Sequence, residues 1–547
     1  MAVAVRPLVI GLMSRRYSNH FEILDIRGNS DDYSKLAAIV SPSGRGDASS
    51  ERLLSLVHSH AHSVIIETDY IDTDYRAGYA RFYYLRHHDT DRRCIRLHFF
   101  RDEIGLDDLL ELPQSKRDSY LGFAVVRPLP AFVMGRSLLS IDFASVCQDS
   151  ASTAYVTATA KFFANVAGNE IEFDATPWME QDTQVSACAS AAIWVASYCL
   201  AHRYAPDYRA YSTPEITDLA STAYSFQRPM PSEGLTLEQI LGGLQKMGYD
   251  PVLFANQDTR DASRICYRYI ESGLPVILGV ALANGENLPN GHALTVVGHE
   301  FKPDEPPVIE PFAIDNSTRF DFCRSSDFAK AFIVQDDRGG PFRRLEFIDW
   351  QDAVNAGLLN ESVKDRFSKR YSSVAVFDRG ASNQEISFLS ALIVPLPSGI
   401  ALGGFMAERN AATLFAAWHK QLNVPPVPQP LLRTYLQPSN RLKARLTADT
   451  GLPAEFRREL RSHLMPKWVW VTEYADRSEF LSNGTCVGLL IADSASHPTC
   501  SDFMDIVALH VPGSLCLVGT NASVLPRIVS VPATVGIPIL RRDPCCS

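Results

Sequence analysis

The chain has 547 residues, of which 46% are hydrophobic and 21% are charged, and its formal net charge at pH 7 is −10. This length has room for three or four domains, and the composition is that of a globular rather than a disordered or fibrous protein. The acidic balance argues against nucleic acid as the main partner, and no apolar stretch reaches the roughly 20 residues that a membrane helix requires.

The cysteines and the N-terminal stretch bear on the compartment. Eleven cysteines are scattered without CxxC pairs at zinc-ligand spacing, and most lie inside apolar runs. This pattern favours reduced, buried thiols. A short apolar run near the start is interrupted by Arg6 and Pro7, and no positive region precedes it, so a secretory signal is not expected. We therefore predict a cytoplasmic protein, and no cofactor or metal site.

The first region, residues 1–165, is predicted to be an α/β accessory domain. Residues 47–62 have the apolar spacing of an amphipathic helix. Residues 64–100 alternate aromatic and charged residues, as half-exposed strands or a helix between strands would, and residues 120–130 are rich in strand formers. One group of charged residues in this region is interpreted as surface or interface charge: Glu67, Asp72, Asp74 and Arg76.

A candidate nucleophile follows in QDTQVSACASAAIWVASYCL, residues 181–200, where Cys188 begins a run of small and apolar residues. A cysteine in the first turn of a helix has its thiolate stabilised by unpaired N–H groups and the positive end of the helix dipole. Gln181 is a candidate donor to a tetrahedral oxyanion, with Gln184 as the nearer alternative. The competing interpretation is a core helix, because cysteine is often buried.

A candidate base lies in residues 271–301, which read as two β-rich runs separated by a loop rich in Gly, Asn and Pro. His292 stands at the mouth of the second strand, where its side chain can project into a cleft. His299, at the far end of that strand, is the competitor and is expected to face solvent. A histidine beside a strand is often only structural, but the combination with Cys188 favours His292 as the base.

A candidate third member ends the short apolar strand in FAKAFIVQDDRGGPF, residues 328–342. A carboxylate there could hold the imidazole in the required tautomer and stabilise the imidazolium. Asp336 is preferred over Asp315, which lies in the segment AIDNSTRF. The alternative interpretation of Asp336 and Asp337 is a polar turn, since Asp favours turns for conformational reasons.

This order of residues resembles that of papain-like cysteine peptidases. It is most similar to the bacteriocin-processing, double-glycine leader peptidases and their free-standing bacterial relatives. The similarity covers residues 175–342, with Asp337 in place of the family's proline and with Ala187 and Ala189 in place of the family's Asp and Gly around the cysteine. The resemblance implies an α+β fold with a papain-like core, in which the helix bearing the cysteine packs on an antiparallel sheet, flanked by N- and C-terminal α/β accessory domains.

The remaining boundaries follow from this comparison. The peptidase domain is predicted to span residues 166–345, and residues 346–547 are predicted to form the C-terminal α/β accessory domain. The segment 302–326 is longer than a minimal peptidase loop, which makes it a candidate for gating substrate access. A proline-rich hinge is expected near residues 423–430. Other elements are predicted as helices in 212–220 and 407–422, helices within 234–254, and strands in 387–397, 465–475 and 486–495.

The sequence thus predicts a cysteine peptidase that cleaves a peptide or isopeptide bond in a dedicated protein substrate, for example as a bacterial defence or conflict effector. Cys188, His292, Asp336 and Gln181 are its predicted catalytic residues. Two alternatives stay open: acyl or amide transfer by the same triad, as in a deamidase or transglutaminase-like enzyme, and a catalytically inactive papain-like binding scaffold. Expected partners are a protein or peptide substrate and a regulatory protein bound through the accessory domains, without membrane or nucleic acid.

Overall fold

The computed structural model describes 14 α-helices and four sheets, three of which have seven or eight strands. The strands are mostly antiparallel, so the described part of the chain is an α+β protein. The described residues are 20–42, 47–87, 90–144, 151–182, 188–222, 234–282, 290–306, 308–313, 319–378, 384–422, 426–496, 505–520, 525–533 and 536–540.

The first sheet lies within residues 21–178 and has the order β1-β2-β3-β4-β5-β8-β7, antiparallel throughout. Helix α2 confirms the helix predicted for residues 47–62, and α3 lies between two strands of the segment 64–100. The elements are β1 (Phe21–Asp25), α1 (Ser30–Val40), α2 (Ala48–His60), β2 (Ser63–Tyr70), α3 (Thr73–Arg81), β3 (Cys94–Phe100), α4 (Gln114–Asp118), β4 (Tyr120–Val126), β5 (Met134–Ser140), β6 (Thr153–Val156), β7 (Ala160–Val166) and β8 (Asn169–Trp178).

The charged group of this region is only partly surface charge. Asp72 and Asp74 are buried, so the interpretation of these two residues as surface charge is wrong. Asp72 is the N-cap of α3, where its side chain accepts the Tyr75 N–H, and it pairs with Arg136 at 2.8 Å. Burial is tolerated because both carboxylate oxygens have donors.

The second sheet closes on itself. Its six strands follow the order β10-β11-β14-β15-β16-β17, and β17 pairs back with β10, while β9 and β6 add at its margins. The elements are α5 (Cys188–Arg203), α6 (Thr213–Ser221), α7 (Leu237–Lys246), β9 (Tyr249–Ala255), α8 (Thr259–Glu271), β10 (Val276–Leu282), β11 (Asn290–Phe301), β12 (Glu310–Ala313), β13 (Arg319–Arg324), β14 (Ala329–Asp336), β15 (Gly340–Ile348), α9 (Trp350–Asn355), α10 (Glu361–Phe367), β16 (Ser373–Asp378) and β17 (Gln384–Pro397).

Helix α5 packs against this closed sheet. Every residue of the helix from 189 to 201 is buried, which fits a sequence that is small or apolar on all sides. The Thr295 hydroxyl of β11 donates to the Ala192 carbonyl of α5 at 3.0 Å. This bond ties the helix to the strand that carries His292.

The third sheet has the order β12-β13-β18-β19-β21-β22-β23-β24, with β13 parallel to β18 and the other pairs antiparallel. A separate pair joins β20 and β25. The elements are α11 (Gly404–Leu422), β18 (Pro430–Pro438), α12 (Ser439–Ala448), α13 (Ala454–Ser462), β19 (Trp468–Asp476), α14 (Arg477–Ser482), β20 (Thr485–Cys486), β21 (Gly488–Asp493), β22 (Ile506–Val511), β23 (Ser514–Leu517), β24 (Arg527–Ser530) and β25 (Ile537–Pro538).

Two features of the sheets cross the predicted domain borders. In the segment 302–326, interpreted as a long loop, the described residues form the hairpin of β12 and β13, which joins the third sheet, so the loop interpretation is wrong there. Strands β16 and β17 lie beyond residue 345 but belong to the second sheet. One apolar core also runs from the first sheet into the second. Among the described helices, none is long and apolar enough to cross a membrane.

Candidate active site

Cys188 and His292 meet at the end of α5. Cys188 is the first residue of the helix and is partly exposed, unlike the buried residues that follow it. His292 is the third residue of β11 and is 6% exposed. Cys188 lies beside the His292 imidazole, and its side chain acts to raise the pKa of that ring. The structure therefore brings together the first two residues that the sequence singles out.

Asp336 lies on the opposite side of the same imidazole. His292 Nε2 and Asp336 Oδ1 are 2.9 Å apart. This contact follows from the sheet, because β11 and β14 are antiparallel neighbours with Thr295 opposite Gln335. Since Nε2 faces the carboxylate, Nδ1 is the ring nitrogen that remains for the thiol of Cys188. Cys188, His292 and Asp336 thus form one chain of neighbouring side chains, joined at its acid end by this hydrogen bond.

The charges of this chain are strongly coupled. Burial acts to lower the pKa of His292, but the charges of Asp336 and Asp337 and the bonds to Asp336 and Cys188 raise it well above its ordinary value. Burial acts to raise the pKa of Asp336, but the charge and hydrogen bond of His292 and the charge of Arg343 hold it well below its ordinary range. Both directions favour an imidazolium beside a carboxylate.

Both oxygens of Asp336 have partners. Oδ1 accepts the bond from His292 and the main-chain N–H of Arg338 at 3.0 Å, and Oδ2 accepts from the guanidinium of Arg343. Arg343 in turn bonds to Glu385 at 3.1 Å. The carboxylate is therefore held rigidly beside the imidazole.

Asp337 is the unexpected neighbour of this chain. Its side chain is 4% exposed, and Oδ1 lies 3.5 Å from His292 Nε2. Among the described residues, one group of side chains has the spacing to hold a metal ion. It consists of His292, Asp336 and Asp337, whose ligand atoms lie within 4.8 Å of one another. Asp336 already uses both oxygens on Arg343, Arg338 and His292, so we do not assign a metal to this group.

The first region supports the acid from behind. The Trp178 indole at the end of β8 donates to the main-chain carbonyl of Asp336 at 2.8 Å. Arg52 of α2 donates to the carbonyls of Pro341 (2.9 Å) and Phe342 at the start of β15. Gly340 has a φ of +99°, and a Cβ there would lie 2.8 Å from the Cβ of Arg52, so only glycine allows α2 to pack this closely.

The positions of the other predicted residues say less about their roles. Gln181 is partly buried and directly follows the buried Glu180. Its role as an oxyanion donor stays a prediction. Asp315, the alternative third member, and Gln184, the alternative donor, lie outside the described residues.

The interpretation of His299 as a solvent-facing residue is wrong. It is 1% exposed, and its Nε2 is 2.7 Å from Glu271 Oε1. Glu271 is the last residue of α8 and is also bound by Arg433 of β18. His299 thus belongs to a buried ionic cluster and not to the candidate active site.

Three contributing residues were not found from the sequence: Arg343, Trp178 and Arg52. Arg343 had a usable signal, because the turn after Asp336 returns the chain antiparallel and brings β15 beside the acid, with Val334 opposite Arg343. No local signal pointed to Trp178 or Arg52, because the residues that they contact lie 158 and 289 positions away in the sequence.

A search of protein-family models and a search of curated proteins gave no match to this chain.

Proposed function

We propose that the protein is a cysteine peptidase with a papain-like core, in which Cys188 is the nucleophile, His292 the base and Asp336 the orienting acid. The observation that carries the proposal is the 2.9 Å contact of His292 Nε2 with Asp336 Oδ1, with Cys188 beside the same imidazole. Buried helix α5, packed on an antiparallel sheet with the cysteine at its exposed end, supports the papain-like assignment.

The residues have defined roles in this reaction. His292 takes the thiol proton, and the sulfur of Cys188 attacks the carbonyl carbon of the substrate. The imidazolium, stabilised by Asp336, then gives the proton to the leaving amine, and a thioester forms. A water molecule attacks the thioester, passes a proton to His292 and releases the acid. Gln181 is the proposed side-chain donor to the oxyanion.

The substrate is proposed to be a peptide or isopeptide bond in one dedicated protein. The large regions on either side of the site supply surface for selecting such a substrate. A role as a bacterial defence or conflict effector is the biological setting that we propose, and it rests on the family resemblance.

The first test is the reactivity of the thiols, resolved by mass spectrometry of iodoacetamide-treated protein at pH 7. We expect Cys188 to react at least about tenfold faster than Cys516, because His292 is placed to take the proton of its thiol. Cys516 is the matched control, since it is the other described cysteine that is partly exposed and burial raises its pKa. His292→Ala should remove the advantage, whereas His202→Ala, on the same helix, should keep it.

The second test is turnover, followed by identification of new protein termini in lysate treated with the wild type or with Cys188→Ala. Cleavage that requires Cys188 but survives Cys199→Ala supports the peptidase. Products that carry an added small amine in place of a new carboxyl terminus would instead identify acyl transfer. If Cys188 is alkylated slowly and no turnover is found, the proposed enzymatic activity is contradicted, and the inactive binding scaffold is the remaining candidate.

A further inference from the structure

Asp337 has an environment that a turn residue does not need. It follows the last residue of β14, yet its side chain points inward and is almost fully buried. Neither carboxylate oxygen accepts a hydrogen bond from another described residue. A buried carboxylate without donors is costly, so a group of this kind calls for an explanation.

Asp337 lies next to charged groups of the candidate site. The imidazole of His292 lies 3.5 Å away, and Asp336 is its neighbour in the chain. Arg338, in the same turn, acts on Asp337 directly, whereas Arg343 of β15 acts on Asp336 and Cys188 of α5 acts on His292. Further out lie Arg52 of α2, which is coupled to Arg343 and to Asp378 of β16, and Glu385 of β17, which pairs with Arg343.

The two acids behind the imidazole differ in their partners. Asp336 has donors on both oxygens and stays ionised, as its depressed pKa indicates. Burial and the charge of Asp336 raise the pKa of Asp337 to about 7, against the opposing charge of His292. Asp337 is therefore the group whose charge changes near neutral pH, at a distance where one charge acts strongly on a neighbouring imidazolium.

We infer that Asp337 is a second acid of the candidate active site, and that its ionisation strengthens the thiolate–imidazolium pair of Cys188 and His292. It is a positioning residue that acts through His292 and does not touch the substrate. When Asp337 ionises, its proton goes to solvent and two negative charges face the imidazolium. When Asp337 is protonated, only the negative charge of Asp336 faces the imidazolium. This inference deepens the proposed function, and the catalytic role of Asp337 rests on that function.

The direct test is the titration of His292 by NMR of protein with ¹³C-labelled histidine, assigned with His292→Gln. In Asp337→Asn, the pKa of His292 should fall by about one to three units, because an opposite charge at this distance shifts a pKa by that amount. Asp337→Glu restores the carboxylate and should recover most of the shift. Asp505→Asn is the matched control, since Asp505 is equally buried but lies in the third region; it should change nothing.

A second measurement is the pH dependence of Cys188 alkylation. In the wild type the rate should rise across pH 7 as Asp337 ionises, and Asp337→Asn should lack this step and react more slowly at pH 7. An unchanged His292 titration in Asp337→Asn, or an equal shift in the control, would overturn the inference. A chelator that alone reproduces the Asp337→Asn behaviour would overturn it too, because the acids would then hold a metal.

The two measurements separate this inference from the proposed function. If Cys188 of the wild type reacts slowly at every pH while the His292 shift is found, the peptidase proposal fails and the coupling of Asp337 to His292 stands. If Cys188 is fast and the shift is absent, the inference fails and the peptidase proposal stands. Asp337→Asn removes a buried charge without changing side-chain size, so we expect it to fold.

Discussion

At the scale of single residues, the carboxylate of Asp336 has hydrogen-bond donors on both of its oxygens. The imidazole of His292 and the main-chain N–H of Arg338 face Oδ1, and the guanidinium of Arg343 faces Oδ2. Only a carboxylate accepts on both sides. An amide at this position must turn its NH₂ group either towards His292 or towards Arg343. In that contact two hydrogen-bond donors then face each other.

This conflict predicts the behaviour of Asp336→Asn. We expect turnover and Cys188 alkylation at pH 7 to fall by about 10² to 10⁴, because the wrong tautomer of His292 is stabilised. Adding Arg343→Met should recover part of the loss, since the amide can then point its oxygen at His292. Arg343→Met alone serves as the control. A double variant no faster than Asp336→Asn would contradict this account.

The candidate site was predictable from the sequence where its signals are local. Cys188 begins a helix of small residues, His292 lies near the start of a valine-rich strand, and Asp336 ends the next apolar strand. The burial of Asp337 was not predictable, because two acids after a strand are typical of an exposed turn. His299 was misplaced because Glu271, its partner, lies on a helix 28 residues earlier.

At the scale of elements, β8 of the first sheet supports the acid strand of the second. Trp178 gives its indole N–H to the carbonyl of Asp336, and no local pattern in either strand predicts this contact. The first region is therefore part of the scaffold of the candidate site. The helix at 47–62 and the strands within 64–100 and 120–130 were predictable from the sequence pattern, whereas the position of this region against β14 depends on contacts between distant residues.

We predict that Trp178→Phe lowers the rate of turnover and of Cys188 alkylation several-fold, because a buried hydrogen bond that contributes about 1 kcal/mol is lost behind Asp336. Substrate KM should change little. Trp350→Phe is the matched control: its indole, at the start of α9, donates to the Tyr371 carbonyl just before β16 at the same 2.8 Å. Similar unfolding midpoints for both variants, with slower chemistry only in Trp178→Phe, would show a positioning role. Equal rates would refute it.

At the scale of the whole molecule, the second and third sheets are joined by the buried cluster around Arg433. Its guanidinium bonds to Glu271 at the end of α8 and to Glu473 of β19 at 3.2 Å. Glu473 also accepts from Tyr435 and from the Leu540 N–H. This cluster could not be foreseen, since its members come from distant parts of the chain and only meet when both sheets are complete.

Removing the cation should therefore destabilise the molecule strongly. We predict that Arg433→Met lowers the free energy of unfolding by about 3–5 kcal/mol, because two buried carboxylates lose the cation between them. Arg458→Met, which removes an exposed ion pair with Glu455, should cost about 0–1 kcal/mol. Urea unfolding of both variants makes the comparison. Adding Glu271→Gln to Arg433→Met should recover part of the loss, and equal losses in the two single variants would contradict the prediction.

The closure of the second sheet bears on how this protein can be shortened. Strands β16 and β17 complete the ring between β15 and β10, although both follow residue 345. A polypeptide that stopped at that residue would leave β10 and β15 with unpaired N–H and C=O groups along their outer sides. Unprotected strands of this kind pair with other chains and aggregate. A minimal folded fragment with the candidate site therefore has to extend at least to Pro397, well past the segments that carry Cys188, His292 and Asp336.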